Sequence, residues 1–139
     1  MGKMMGIVAV MLMGYIGVAV ATPQVGGGDG STWEAPPDAR SKKNPIPVNP
    51  EVETQGKTLY TRHCAACHGL MGKGDGPGAQ LFKPPPADIS TPEKQAALTD
   101  GEIFWKITVG RNRMPAFEKT LSEPERWVIV HYVRTLATE

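Results

Sequence analysis

Apolar residues recur at helical spacing in three segments of the chain, and each segment begins with a helix start signal. The first segment follows Asn49 and Pro50, a pair typical of an N-cap and a first-turn proline. We predict a helix from residue 50 to about residue 63 with one apolar face. That face holds Val52, Gly56, Leu59, Tyr60 and His63.

The other two segments begin with capping boxes, in which a hydroxyl residue and a glutamate stand three positions apart. Thr99 and Glu102 form the first pair, and the segment after them ends at Gly110, a typical residue just past a helix C-terminus. Ser122 and Glu125 form the second pair, and their apolar segment runs to the end of the chain. The sequence therefore predicts two more helices.

The region between the first two predicted helices is unsuited to regular structure. Residues 69–90 contain five glycines and four prolines, and no segment of the chain shows the alternation of a strand. Long ordered loops in compact domains usually carry function. We therefore predict an all-α fold with about three main helices and long Gly/Pro-rich loops.

The N-terminus has the pattern of an export signal. Lys3 precedes an uncharged apolar run over residues 7–21, which ends in the small-x-small sequence Ala19-Val20-Ala21. We predict that residues 1–21 either are cleaved there or stay as a membrane anchor through residues 4–21, because the longer count reaches 18 residues. Either outcome predicts an exported protein, in the periplasm or on the outer face of the cytoplasmic membrane.

A linker is predicted between this signal and the folded domain, over residues 22–49. Residues 22–50 contain six prolines and four glycines without hydrophobic periodicity. Such a composition buries too little apolar surface to offset the entropy of ordering. We expect a solvated tether, and the alternative is a segment that wraps over a partner subunit with Trp33 as its anchor.

The remaining residues, 50–139, form the predicted domain. They carry 11 Lys/Arg and 11 Asp/Glu residues, so their protein charge is close to zero. This balance gives no indication of nucleic-acid binding or of steering by a strong net charge. A domain of this size has a small core, which a buried prosthetic group would help to fill.

The two cysteines of the chain lie in the sequence Cys64-Ala65-Ala66-Cys67-His68. A structural zinc site needs a second pair of ligands, which the sequence does not offer. A thiol–disulfide motif needs a strand before it and a helix after it, and neither is predicted here. Cys-x-x-Cys-His is the signature of covalent haem attachment, with the histidine as an axial ligand to the iron.

A haem that serves electron transfer needs a sixth ligand on its other face. Met71 lies only three residues after His68, His63 adjoins the cysteine motif, and His131 lies in the last predicted helix. Met114 lies 46 residues after His68 in a predicted loop. We predict that Met114 is the sixth ligand, and the alternative is a methionine that only fills the core.

The domain resembles the monohaem c-type cytochromes of class I. The motifs that carry the resemblance appear in the family's order and are "CAACHG", "GDG", "PPPAD", "MPAF" and "LSEPERWVIVHYVRTL". The proline-rich lead, "GDG" and "PPPAD" further resemble the monohaem subunits of bacterial quinol-oxidising respiratory complexes of the alternative complex III type.

The resemblance implies a small cytochrome c fold around one covalent haem c, in which the first and last helices cross near Gly56 and Tyr132. It implies two thioether bonds and a pair of axial ligands, supplied by Cys64, Cys67, His68 and Met114. In the family a proline carbonyl accepts the proton of the axial histidine, and one of Pro84–Pro86, such as Pro85, is expected to do so.

With both axial positions filled by the protein, the expected activity is electron transfer by an Fe(III)/Fe(II) couple and not catalysis on a bound substrate. Expected pocket residues are Phe104, Ile107, Phe117 and Leu81, while Arg111 and Arg113 either meet haem propionates or are solvated. Expected partners are redox proteins, namely a quinol-oxidising complex, a terminal oxidase or another cytochrome. The alternative function is a haem enzyme or sensor with a displaceable sixth ligand.

Overall fold

The computed structural model describes residues 1–2 and 33–138, and the helices of this part follow the predicted order. No strand occurs among the described residues, so the all-α prediction is confirmed. The α-helices are α1 (Pro37–Arg40), α2 (Pro50–His63), α3 (Ala65–His68), α4 (Pro92–Ala97), α5 (Asp100–Val109) and α6 (Glu123–Thr135). Two 3₁₀ turns cover Ala79–Leu81 and Leu136–Thr138.

The predicted signal or anchor falls outside the described residues, apart from Met1 and Gly2. Within the described part of the chain, no helix has both the length and the apolar character needed to cross a membrane.

Helix α2 begins and ends where its sequence pattern predicts. The Asn49 side chain accepts a hydrogen bond from the backbone N–H of Val52 at 2.9 Å, and Pro50 occupies the first turn. The helix ends at His63, directly before the first cysteine. Because α2 runs directly into the cysteine motif, the position of the helix determines where the motif lies.

Helices α2 and α6 cross at Gly56, as the family resemblance implies. A Cβ atom at residue 56 would lie 2.7 Å from the carbonyl oxygen of Val128 and 2.9 Å from Cβ of Tyr132. Beside this contact the Tyr60 and Tyr132 rings pack with their centroids 5.1 Å apart. Glycine is needed at this position because two helix backbones approach closely there. The core around the crossing includes the fully buried Ile129 and Val130.

Both predicted capping boxes are present, at Thr99 with Glu102 and at Ser122 with Glu125. Helix α5 ends before Gly110, whose backbone N–H donates to the carbonyl of Lys106 at 3.0 Å. These ends determine where the loop after α5 begins, and that loop carries Met114.

The structure differs from the predicted tether over residues 33–49. This part forms α1 and belongs to the same compact unit as the rest of the domain, with Ala35 and Ala39 buried. Two side-chain hydrogen bonds join it to the helical core: Thr99 Oγ1 donates to the carbonyl of Arg40 at 2.9 Å, and the Asn44 side chain donates to the carbonyl of Trp127 at 3.0 Å. We call residues 33–46 the strap. The strap is ordered by polar contacts with helices that are distant in sequence. A pattern of hydrophobic periodicity does not reveal such contacts.

Replacing Gly56 by Ala should destabilise the domain. Alanine gains about 1 kcal/mol of helix propensity, but the clash with α6 should cost about 1–3 kcal/mol. Denaturant unfolding followed by helical circular dichroism measures the net change. Lys57→Ala, at the exposed neighbouring position, should change stability by less than about 0.5 kcal/mol. A Gly56→Ala protein more stable than wild type would contradict the close crossing.

Replacing Ser122 by Ala should remove the cap of α6 and cost about 1 kcal/mol at neutral pH. The Ser122 hydroxyl and backbone N–H donate to the Glu125 carboxylate at 2.7 and 2.8 Å, and these bonds hold the pKa of Glu125 below its usual value. Stability from a depressed carboxyl pKa is present above the unfolded pKa, about 4.3, and is lost as the pH falls through the folded pKa. Thermal unfolding at several pH values should therefore show the difference from wild type shrinking in acid. Glu123→Gln, in the same turn but outside the capping box, is the control and should show a smaller loss.

Candidate haem-binding site

The cysteine motif forms a tight helical turn directly after α2. The backbone N–H of Cys64 donates to the carbonyl of Tyr60 at 2.8 Å, and the N–H of His68 donates to the carbonyl of Cys64 at 2.9 Å. One turn therefore brings both cysteines and the adjacent histidine together. Cys64, Cys67 and His68 all line a single cavity of about 490 Å³.

The glycine-rich loop after the motif hydrogen-bonds to the exposed carbonyls of this turn. The N–H groups of Gly74, Gly76 and Gly78 donate to the carbonyls of His68, Cys67 and Ala66 at 2.9, 3.2 and 2.8 Å. A Cβ atom at residue 76 would lie 2.5 Å from the carbonyl oxygens of the two alanines of the motif. The sequence "GKGDGPG" thus supplies backbone donors that approach closely because they carry no side chain.

Helix α2 also holds the start of this loop. The Tyr60 hydroxyl is buried and donates to the carbonyl of Gly69 at 2.8 Å. Burial raises the pKa of Tyr60 well above its ordinary value, so its hydroxyl remains a donor at physiological pH. The same tyrosine that packs at the helix crossing therefore fixes the loop after the motif.

Further along the chain, two loops complete the cavity. Its walls consist of Trp33, residues 63–64 and 67–68, residues 82–87, residues 111–115 and Phe117. The predicted site residues Pro85, Met114 and Phe117 are in these walls, as are Arg111 and Arg113. The structure therefore brings the cysteine motif and Met114 to one cavity from separate parts of the chain.

Met114 lies at the end of a short turn with defined hydrogen bonds. Arg111 and Met114 exchange backbone hydrogen bonds of 3.0 and 2.9 Å, and Asn112 has a positive φ of 55° between them. Gly110 has a φ of 61°, and a Cβ atom there would lie 2.5 Å from the carbonyl oxygen of Met114. After the turn, the N–H of Phe117 donates to the carbonyl of Ile107 at 3.1 Å. The loop is thus fixed to the end of α5, and Met114 is half-buried in the cavity wall.

His68 has one ring nitrogen enclosed by protein. Nδ1 is buried and makes no hydrogen bond with a described residue. Burial lowers the pKa of His68, and the backbone of Ala87 partly opposes this shift, so that backbone lies beside the ring. Pro84–Pro86 and Ala87 line the same cavity as His68, and a proline carbonyl as the partner of Nδ1 stays a prediction. A neutral imidazole of this kind can offer a nitrogen to a metal.

The described residues support neither a redox-active dithiol nor a metal site built from His, Cys, Asp and Glu side chains. Burial, followed by the charge of Cys67, raises the pKa of Cys64 to about 12, the opposite of an activated redox thiol. Within the described residues, no group of three or more His, Cys, Asp and Glu side chains is arranged to hold a metal ion. The donor set that lines the cavity, with two thiols, an imidazole and a thioether, instead fits a haem held by two thioether bonds and two axial ligands.

Three expected pocket residues lie elsewhere. Phe104 stacks on Trp127 with ring centroids 4.0 Å apart, and Ile107 is buried in the helical core. Neither is among the described residues that line the cavity. Leu81 is 74 % exposed in a 3₁₀ turn. The inner face of α5 packs against α6. The apolar spacing along α5 therefore indicates burial in the helical core and not a place in the cavity wall.

Among the wall residues that the sequence interpretation missed are three with aromatic rings, Trp33, His63 and Phe82. His63, which was expected on the apolar face of the first helix, packs edge-on against Phe117 with ring centroids 6.0 Å apart. Its position directly before Cys64 was the available signal, because α2 carries both residues to the same place. Trp33 had no local signal beyond its being the one aromatic residue in a Pro/Gly-rich segment.

Comparison with known proteins agrees with this arrangement. A family model described as "Cytochrome C oxidase, cbb3-type, subunit III" matches residues 51–133, which is 83 of the 139 residues. No curated protein sequence matches the chain.

Two solved structures are similar in sequence and fold. A chain of the Kuenenia stuttgartiensis reducing HAO-like protein complex Kustc0457/Kustc0458 is 30 % identical, with a TM-score of 0.55 over 70 % of this chain and 50 % of its own. The present chain thus spans half the length of that protein. The c-type cytochrome KustC0563 is 30 % identical, with a TM-score of 0.52 over 58 % of this chain and 95 % of its own.

The helical fold and the Cys-x-x-Cys-His turn in the cavity wall agree with these matches. The predicted family, fold and cofactor are therefore confirmed. The chain belongs to the cytochrome c family that this model describes: it is a monohaem c-type cytochrome of class I with a covalently bound haem c.

Proposed function

We propose that this cytochrome transfers single electrons in a respiratory chain, with its haem attached through Cys64 and Cys67 and its iron ligated by His68 and Met114. The observation that carries this proposal is that these four side chains line the same cavity, although Met114 lies in a loop 46 residues after His68. The haem would supply the one-electron Fe(III)/Fe(II) couple.

The chain's own residues would set the conditions for that couple. An imidazole and a methionine thioether as axial ligands raise the reduction potential relative to two imidazoles. Lys83, Arg111 and Arg113 also line the cavity, and no acidic residue is among the described lining residues. These cations suit the carboxylates of a haem and disfavour the extra positive charge of the oxidised state. Arg113 is held over the Phe82 ring at 5.5 Å, which orients its guanidinium near the cavity.

We further propose that the protein is exported and works at the outer face of the cytoplasmic membrane or in the periplasm. The support is the apolar run and small-x-small sequence of residues 7–21. Its partners would be a quinol-oxidising complex on one side and a terminal oxidase or another cytochrome on the other. That the similar Kuenenia chain is part of a protein complex supports the existence of protein partners. Such electron-transfer contacts are small and short-lived.

Replacing Met114 by Ala tests the axial ligation. The weak long-wavelength absorption band expected of an Fe(III)–methionine bond should disappear, and the reduction potential should fall. Visible spectra and redox titration of the purified holoprotein measure both. Met71→Ala is the matched control, because Met71 is 38 % exposed and does not line the cavity.

A Met114→Ala protein with an unchanged spectrum and potential would contradict this ligation. Ready binding of carbon monoxide or cyanide by the wild-type protein would favour the other function, a haem enzyme or sensor with a displaceable sixth ligand.

Replacing Gly76 by Ala tests the loop that holds the cysteine turn. The added Cβ would lie 2.5 Å from two carbonyl oxygens of the turn, and we expect a loss of about 1–3 kcal/mol and less haem per purified chain. Gly78→Ala is the matched control, because its nearest atom lies at 3.1 Å and its clash is smaller. Haem absorbance per protein and denaturant unfolding measure both effects. Equal losses in the two variants would contradict the role given to Gly76.

A further inference from the structure

Trp33 lines the haem cavity although it lies 31 residues before the first cysteine, in the segment expected to be a tether. It is half-buried, and its ring packs against Trp105 with centroids 6.4 Å apart. The Lys106 ammonium lies 5.2 Å from the centroid of the same ring. The indole is therefore held from the side of α5 by an aromatic ring and a cation.

The strap behind Trp33 is fitted to the N-terminus of α5. A Cβ atom at residue 101 would overlap the carbonyl oxygen of Ala39 and lie 2.9 Å from that of Lys42. Arg40 adds a salt bridge to Glu102 at 3.7 Å, and the Thr99 hydroxyl donates to the Arg40 carbonyl. Glycine is less favourable than alanine inside a helix, but at position 101 it leaves the space that the strap backbone occupies.

The other end of the strap is attached to α6. The Asn44 side chain donates to the carbonyl of Trp127 at 3.0 Å, and the same side chain accepts from the N–H of Ile46 at 3.1 Å. The carbonyl of Ile46 lies 2.6 Å from Nε2 of His131 and accepts a hydrogen bond from it. The strap is thus held on two helices that already form the core, and its course is determined from residue 39 to residue 46.

From these contacts we infer that the strap is a built part of the haem pocket and that it positions Trp33 as a wall which keeps water from the prosthetic group. Trp33 is a positioning residue: it ligates nothing and takes part in no bond change. An apolar wall lowers the local dielectric, which disfavours the more positively charged oxidised state. Trp33 should therefore raise the reduction potential. The inference rests on the covalent haem of the proposed function but not on Met114 as its sixth ligand.

The first test compares Trp33→Ala, Trp33→Phe and Val48→Ala in the full-length holoprotein. Trp33→Ala should lower the reduction potential, and Trp33→Phe should restore most of the difference because it keeps an apolar ring in the wall. Val48→Ala should match the wild type, since Val48 is a 60 % exposed apolar residue just past the strap. A Trp33→Ala potential equal to that of the wild type would overturn the inference.

A second readout is independent of the potential. In protein labelled with ¹⁵N at tryptophan, each of the three indole N–H groups gives one signal, and Trp33→Phe identifies that of Trp33. This signal should shift or broaden between the reduced and the oxidised, paramagnetic protein. A Trp33 signal that is the same in both states would overturn the placement of the ring against the haem.

The third test displaces the strap without touching the cavity. Gly101→Ala favours the α5 helix but fills the space of the Ala39 carbonyl, so the domain should fold while the strap detaches. We expect faster tryptic cleavage after Arg40, Lys42 and Lys43 together with a lowered potential. A detached strap with an unchanged potential would overturn the inference.

These tests separate the two proposals. If the wild-type protein lacks the long-wavelength band, the Met114 ligation fails, but the comparison of Trp33 variants with the wild type stands. If Trp33→Ala does not fold, the wild-type Trp33 signal, identified with Trp33→Phe, and the Gly101→Ala potential decide the matter.

Discussion

The close contact of α2 and α6 at Gly56 is the constraint on which the other parts of the structure depend. Because the two helix backbones nearly touch there, the direction in which α2 enters the cysteine turn is determined by α6. Tyr60, one turn further along α2, packs on Tyr132 and donates to the loop that encloses the turn. The same α6 provides the Trp127 carbonyl and the His131 side chain that hold the strap. One helix pair thus positions both the cysteine turn and the strap.

The site itself is assembled from loops whose geometry comes from backbone contacts. The N–H groups of Gly74, Gly76 and Gly78 replace the helical partners that the short turn of the cysteine motif lacks. On the Met114 side, Gly110 allows the loop to fold back on itself after α5. Glycine is needed at residues 74, 76 and 110 because the neighbouring backbones leave no space for a side chain.

Local sequence signals predicted much of this arrangement, and the predictions that failed share a physical cause. The caps at Asn49, Thr99 and Ser122 are interactions between near neighbours in sequence, so they could be read directly. The apolar face of α5 was read correctly as buried, but burial against α6 and burial against a haem give the same periodicity. Phe104 and Ile107 were therefore expected in the pocket and lie in the helical core. That Ala87 and His68 line the same cavity depends on how a proline-rich loop packs, which no spacing rule encodes.

The sequence by itself determined the three main helices (α2, α5 and α6), the haem-attachment motif and the family resemblance, and it predicted Met114 as the sixth ligand, because each depends on residue types at short or characteristic spacing. Only the tertiary structure decided that Met114 reaches the same cavity as the cysteines and that residues 33–46 belong to the folded domain. The strap buries few apolar side chains and is held by single hydrogen bonds and by a space at Gly101. Those partners lie 59–85 residues away along the chain, so their contact exists only once α5 and α6 have packed.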